Sequence, residues 1–368
     1  MFSGNRGLPV TGVKHAFFRG VRRLGGTRTI AGSEWRRSRL LVLCYHSLSL
    51  TDEHEWNPAL YMTRDLLRSR LRTLRDLGFT ILPLTSALTR LREGALPPRS
   101  VALTFDDGTT DFSRLVVPLL EEFDAPATLY LTTYYCDRRL PVFDTALSYI
   151  LWRGRDGGAD VAAAIGVERG LPIATAEDRR RATAAIAEHA RSCRLDGPAK
   201  HELLTAVAAH AGVSLAQVME VGMFHIMPPD EVSGLPAGLV DVQLHTHRHR
   251  TPLDPSRFGR EVLENRDRVR ALRGSDSSLD QLCYPSGEYY REFLDWLPEL
   301  GVRYATTCVP GLASQRSHPL LLPRLVDTSL QSPESFEAWL SGVAALLPKR
   351  ARHRIDPERL RPAKHSRG

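Results

Sequence analysis

Two short stretches carry residues whose types and spacing could do chemistry. In "VALTFDDGTTD", residues 101 to 111, five strand-like residues from Val101 to Phe105 run into Asp106, Asp107 and Gly108. Adjacent carboxylates repel unless something offsets their charge. Successive side chains of a regular strand point to opposite faces, so the pair can serve one site only where the strand stops. Gly108 supplies a permissive backbone for that stop. In "VDVQLHTHRHRTPL", residues 240 to 253, Val240, Val242 and Leu244 alternate with polar residues as in a strand, and His245, His247 and His249 follow within five residues. The carboxyl ends of strands are where α/β folds place their chemistry. Two histidines and one carboxylate, with positions left open, form a recurring catalytic metal set. A divalent cation would also offset the repulsion between Asp106 and Asp107. Each stretch alone has a plain reading, as a turn with solvated aspartates or as a solvated histidine tract. Together they point to a metal-dependent centre.

"TFDDG" followed by "HTHRH", which fits the order His, Ser or Thr, any, any, His, resembles the first two motifs of the polysaccharide deacetylases of NodB-homology type, a group that includes chitin and peptidoglycan deacetylases. Other segments agree in order. "LVLCYHSLS" (41 to 49) resembles the family's first barrel strand, and "LRSRLRTLRDLGFTIL" the helix and second strand after it. "LCYPSGEYY" (282 to 290) resembles its Pro and Gly loop, "GVRYATTCVPG" the next strand, and "LLPRL" (321 to 325) a late Pro-Arg motif. The resemblance covers residues 40 to 135 and 222 to 328.

The resemblance implies an α/β fold, a distorted (β/α)7 barrel. It also implies that Asp107, His245 and His249 bind one divalent metal, that Asp106 is the general base, and that the loop holding Tyr284 and Ser286 meets the substrate, with the Ser286 N–H at the oxyanion. Zinc heads the candidate metals; cobalt, nickel and manganese suit the same ligands. The chemistry is coherent: a divalent cation makes water acidic enough to attack at neutral pH, a free carboxylate takes its proton, and a backbone N–H steadies the negative charge that develops. Pro285 and Gly287 would shape the loop for a close approach.

Two departures stand out. Many members carry an Arg near the Pro and Gly loop to orient the base, and here that position is Cys283. Arg324 is the expected substitute, since a buried Arg beside Asp106 would keep it ionised; a structural salt bridge elsewhere is the alternative. The family's late acid histidine has no clear match, leaving His46, at the end of "LVLCY", ahead of His318 in the polar "SQRSHPLL". By spacing, His247 is a bystander.

The 368 residues, 42% apolar, suit one large α/β domain from about 39 to 345. Between about 145 and 222 the composition shifts to Ala, Arg and Glu, and "AEDRRRATAAIAEHARSC" and "HELLTAVAAHAG" have helical spacing. This reads as a helical insertion that either caps the barrel mouth or completes the scaffold. Its Tyr149 and Trp152 are either core residues or a stacking surface for sugar. Five cysteines without CxxC spacing indicate neither a disulfide framework nor a zinc knuckle.

The net charge of +7 is concentrated at the ends, residues 1–38 and 346–368, which lack an apolar run suited to a secretory signal or a membrane span. Solvated tails are one reading and peripheral contact with anionic membrane from the cytoplasmic side is the other. Nucleic acid is not expected, because the basic runs carry few aromatics to stack on bases. The expected activity is removal of an N-acetyl, less readily an O-acetyl, group from a cell-surface or exopolysaccharide glycan or its precursor. The rival is a catalytically inactive glycan-binding protein on the same fold, with Cys283 as its best support. A glycosidase would hold its two carboxylates several ångströms apart and has no use for the histidine tract.

Overall fold

A computed structural model describes residues 18–20, 26–168, 170–274 and 278–347. Its centre is a parallel sheet: β1 (Leu41–Tyr45), β2 (Thr80–Ile81), β3 (Ser100–Asp107), β4 (Ala127–Leu131), β5 (Val240–Leu244), β6 (Gln281–Cys283), β7 (Tyr304–Thr306) and β8 (Leu325–Val326). The order is β8-β1-β3-β4-β5-β6-β7, with β2 added beside the start of β3. A parallel bridge from Thr306 of β7 to Leu322, three residues before β8, brings the two sheet edges together. The sheet thus curls into a distorted barrel of seven positions. Every residue of β1 and β4 is buried, as expected of parallel strands covered on both faces. Continuous apolar runs such as "LVLCY" therefore read as strands without any alternation.

The barrel's helices pack by the usual rules. Thr63 caps the helix Arg64–Asp76 by accepting the Leu66 N–H, and Leu67, Leu71 and Leu74 form its buried stripe. The helix Pro255–Arg273 begins with Asp254 accepting the Arg257 N–H at 2.8 Å. Its buried face carries Phe258, Val262 and Val269, but also Glu261 and Asn265.

The strand with the two aspartates ends differently from the sequence expectation. Pairing continues through Asp106, opposite Tyr130, and Asp107, opposite Leu131. The break falls at Asp107 itself, whose φ of 72° is left-handed, followed by Gly108 at 84°. That turn cancels the strand alternation, so both carboxylates serve one end of the barrel. Gly108 is required by contact as well as by conformation, since a Cβ there would collide with the Leu131 side chain.

The helices Phe143–Arg153, Ala176–Ser192, Gly197–Ala211 and Leu215–Val221 enclose an apolar cluster of their own, including Leu147, Ile150, Ile186, Leu204 and Val207. Thr175 and Asp178 form a capping box at the second of them. This cluster meets the barrel through an aromatic knot in which Trp56 packs edge-on to Tyr149 and Phe224, with ring centroids 5.6 and 5.8 Å away. Tyr149 is a core residue whose hydroxyl donates to Asp52 at 2.6 Å, so it presents no stacking face. Trp152 is covered by the Arg155 guanidinium, 4.2 Å from its ring centre.

Among the described residues no helix is long and apolar enough to cross a membrane. Most of the basic ends, residues 1–17, 21–25 and 348–368, lies outside the described residues.

Candidate active site

The carboxyl ends of β1, β3, β5 and β6, with the segment leading into β8, converge on two adjoining clusters. In the first, Asp106 is buried beneath Arg324, which is itself fully buried. The guanidinium donates from Nη1 to Asp106 Oδ1 and from Nη2 to Oδ2, both at 2.7 Å. This is the fork geometry that makes such pairs strong. Arg324 also donates to the Thr307 carbonyl at 3.1 Å and to Thr104 Oγ1 at 3.0 Å. Three sulfurs line the pair. The Cys44 and Cys283 thiols point at Asp106 Oδ2 from 3.5 and 3.4 Å, and Arg324 Nη2 lies 3.0 Å from Cys283 Sγ and 3.8 Å from Cys308 Sγ. His46 Nε2 is 3.8 Å from Asp106 Oδ2. Burial alone would push the Asp106 carboxyl up, but Arg324 outweighs it and holds the group well below the usual range, ionised at neutral pH.

The second cluster lies one residue along the strand. Asp107 Oδ1 is 3.2 Å from His245 Nε2 and 3.3 Å from His249 Nε2, and the three ligand atoms lie within 4.8 Å of one another. The His245 Nδ1 faces the Cys283 carbonyl at 2.9 Å, which places the proton on Nδ1 and turns Nε2 toward Asp107. Desolvation of the ring lowers His249 from its ordinary value, favouring its neutral, ligand-competent form. Asp107 is held below the usual range: desolvation pushes it up, but the hydrogen bond with His245, whose own value is raised so that both ring nitrogens carry protons when no cation is bound, outweighs it. These residues fit a divalent cation: two imidazole nitrogens and a carboxylate oxygen on one side, with the remaining side open. Asp107, Thr246 (φ 60°) and His249 (φ 53°) all adopt left-handed backbone, the kind of local strain that recurs at functional sites.

The opening repulsion is answered residue by residue. Arg324 neutralises Asp106, while Asp107 faces two histidines.

The other expected residues fall as follows. Ser286 is exposed at the tip of the loop after β6, in left-handed backbone at φ 56°, and Gly287 behind it packs so closely on Cys308 that a Cβ would lie 3.1 Å from the Cys308 Cβ. In the same loop, the Tyr284 side chain faces inward. It is buried, its hydroxyl donates to the Leu320 carbonyl at 2.9 Å, and its ring packs on Phe293. The sequence reading did not distinguish the exposed from the buried face of that loop. His318 belongs to the opposite end of the barrel, in the segment where Ala313 pairs with Leu40 ahead of β1. Its ring accepts the Leu320 N–H at 3.2 Å, which leaves His46 as the histidine beside the base. His247 stays outside the cluster, bound through Nδ1 to Thr133 Oγ1 at 2.8 Å.

Two residues missed in the sequence hold the histidine loop. Asn265 accepts the His245 N–H at 2.9 Å and donates to the Leu131 carbonyl and Thr133 Oγ1. Glu261 accepts the Arg248 N–H at 2.7 Å, and its carbonyl accepts the His247 N–H at 2.9 Å. Spaced four apart on one helix, they stand among Phe258, Val262 and Val269 on its buried face, and that misplacement of polar residues was the available signal.

The carboxyl end of a parallel seven-position barrel thus brings together an aspartate pair and two histidines. The polysaccharide deacetylase family model matches residues 93–163, which include both aspartates. The match is a likeness to that family over the segment that carries β3 and β4. Solved structures share the barrel. The Streptococcus pyogenes deacetylase PplD, determined with acetate, superposes with a TM-score of 0.54 at 18% identity over 84% of this chain and 99% of its own. A polysaccharide deacetylase from Bacillus cereus gives 0.50 at 14% identity over 82% and 69%. A de-N-acetylase from Aggregatibacter actinomycetemcomitans gives 0.50 at 14% over 82% and 99%. At these identities the likeness is one of fold. None of the curated proteins compared matches the sequence.

Proposed function

We propose that the chain is a metal-dependent deacetylase that removes N-acetyl groups, and O-acetyl groups less readily, from a cell-surface or exopolysaccharide glycan or its precursor. The observation that carries this reading is the pairing of an ionised, Arg-clamped Asp106 with an adjoining Asp107, His245 and His249 set whose ligand atoms converge.

Bound to Asp107, His245 and His249, a divalent cation, zinc in the first instance, would polarise the acyl carbonyl and make water acidic at neutral pH. Asp106, fixed by Arg324, takes the proton of the attacking water. The Ser286 N–H is assigned to the oxyanion, and His46 to delivering a proton to the departing amine. Asn265 and Glu261 keep the histidine loop in place. The rival reading, an inactive glycan binder, drew on Cys283 in place of the expected Arg; Arg324 meeting Asp106 from a different strand removes most of that support.

Acetate release from N-acetylated oligosaccharides, nucleotide sugars and lipid-linked sugars, measured before and after chelation and with metal restored, tests the reading. Loss on chelation and recovery with zinc are expected. No acetate from any substrate, with metal bound in full, would favour the binding protein. We also assign the basic ends to peripheral contact with anionic membrane at its cytoplasmic face, on their composition. Salt-sensitive sedimentation with acidic liposomes should disappear when both ends are removed; equal binding without them would rule the assignment out.

A further inference from the structure

Beside the metal-ligand cluster, a cavity of about 110 Å³ opens directly onto Asp107 and His249. Its wall is mostly carbon: Leu60, Tyr61, Val142, Phe224 and Ile226 contribute. Val142 and Phe224 flank the helical insertion, and they are tied together by the hydrogen bond from the Val142 N–H to the Phe224 carbonyl at 2.8 Å. Three of the cavity's hydroxyls are engaged within the protein. Ser47 and Thr109 bond each other at 2.9 Å, and Thr132 donates to the His247 carbonyl at 3.1 Å. A wall of this kind offers little to the hydroxyls of a sugar ring, which lose water on binding and need polar partners in return. It suits an alkyl group. A methyl takes up roughly the share of one water, about 30 Å³, so an acetyl group leaves most of the cavity unfilled.

We propose that this cavity receives the acyl chain and that the enzyme hydrolyses N-acyl amino sugars with chains longer than acetyl, up to about butyryl. The inference rests on the deacylase reading of the same site. The reaction is unchanged: the amide carbon–nitrogen bond breaks, water supplies the second oxygen of the released carboxylate, and its protons go to the base and the amine. Chain length is then set by residues of the insertion's border rather than by the strand-end motifs.

The test has two readouts on the metal-loaded enzyme. In the first, kcat/KM is compared for N-acetyl-, N-propionyl- and N-butyryl-glucosamine oligosaccharides. The butyryl amide should be cleaved within about threefold of the acetyl amide or better. Thr145→Leu, a half-buried helix position on the cavity wall, should shift the butyryl-to-acetyl ratio at least tenfold toward acetyl, and Val142→Ala should shift it the other way. In the second, binding of acetate, propionate and butyrate is measured by calorimetry, independent of turnover. Affinity should rise roughly fourfold per methylene, the value of burying one such group. Acetyl cleavage with the butyryl amide more than a hundredfold slower and no rise in carboxylate affinity overturns the proposal while leaving the deacetylase reading intact. Cleavage of none of the amides defeats the deacetylase reading itself.

Discussion

The two adjoining halves of the site share a strand end and differ in almost everything else. Asp106 is buried among sulfurs and answered by a guanidinium that carries its charge at any pH of interest. Asp107 is partly open, with 24% side-chain exposure, and is answered by imidazoles that can be neutral. A fixed counter-charge stabilises a carboxylate that must stay free and ionised, and it repels a cation. Neutral imidazoles do the reverse: they leave room for a cation and supply lone pairs to it. The contrast shows how one backbone turn at Asp107 places two identical side chains in opposite surroundings, the division on which the proposed roles rest.

The largest effect should come from breaking the buried half. Arg324→Met leaves Asp106 unpaired in the interior and should cost about 3–5 kcal/mol in urea unfolding. Replacing both partners, as Arg324→Met with Asp106→Leu, should recover much of that loss. A neutral Arg324→Met would show that the pair is not a fixed element of the interior.

His249→Ala attacks the open half. Elemental analysis should show near-stoichiometric metal in the native chain and its loss in the variant, with little change in folding stability because His249 is partly exposed. Metal content unchanged in this variant would remove His249 from the ligand set.

A smaller effect comes from Asp111, which touches neither cluster. Burial pushes its carboxyl up to about 7, although its Oδ2 accepts the Leu48 N–H at 2.6 Å. A folded-state value above the unfolded one means that the folded chain binds more protons between roughly pH 4 and 7, so stability should fall as pH rises through that window. Asp111→Asn should flatten that fall in pH-dependent unfolding. Asp106 and Asp107 run the other way: their folded values lie below the unfolded ones, so their contribution is present at neutral pH and lost as the solution becomes strongly acidic. A fall as steep as the native one in Asp111→Asn would assign the titration to another group, with Asp327, raised to about 6 by burial, the next in line.

Much of this was legible in the sequence where chemistry and local pattern coincide. β1 and the aspartate-bearing β3 announce themselves by apolar runs and β5 by alternation, each stopping at Asp or His, and four of the central side chains sit at those stops. The late Pro-Arg motif pointed to Arg324, but residues 106 and 324 meet only because the barrel closes, so an ordinary salt bridge was an equal reading. The sulfur lining has the same origin, since Cys44 and Cys283 lie on separate strands and Cys308 in the bend after β7, and they look unrelated in the chain. Which of Tyr284 and Ser286, two positions apart in one loop, faces inward is decided only by the fold. The apolar cavity was invisible, being assembled from Leu60, Val142 and Phe224 across the root of the insertion.

The most direct measurement compares Asp106→Asn with Asp107→Asn for metal affinity and deacetylation under the same conditions. Asp106→Asn should retain metal at native affinity and lose about 100- to 10,000-fold in rate, the usual cost of removing a general base. Asp107→Asn should bind metal more weakly and regain part of its activity with excess metal. Equal loss of metal in both variants would contradict the division of labour, making both carboxylates ligands and leaving His46 as the group that takes the proton.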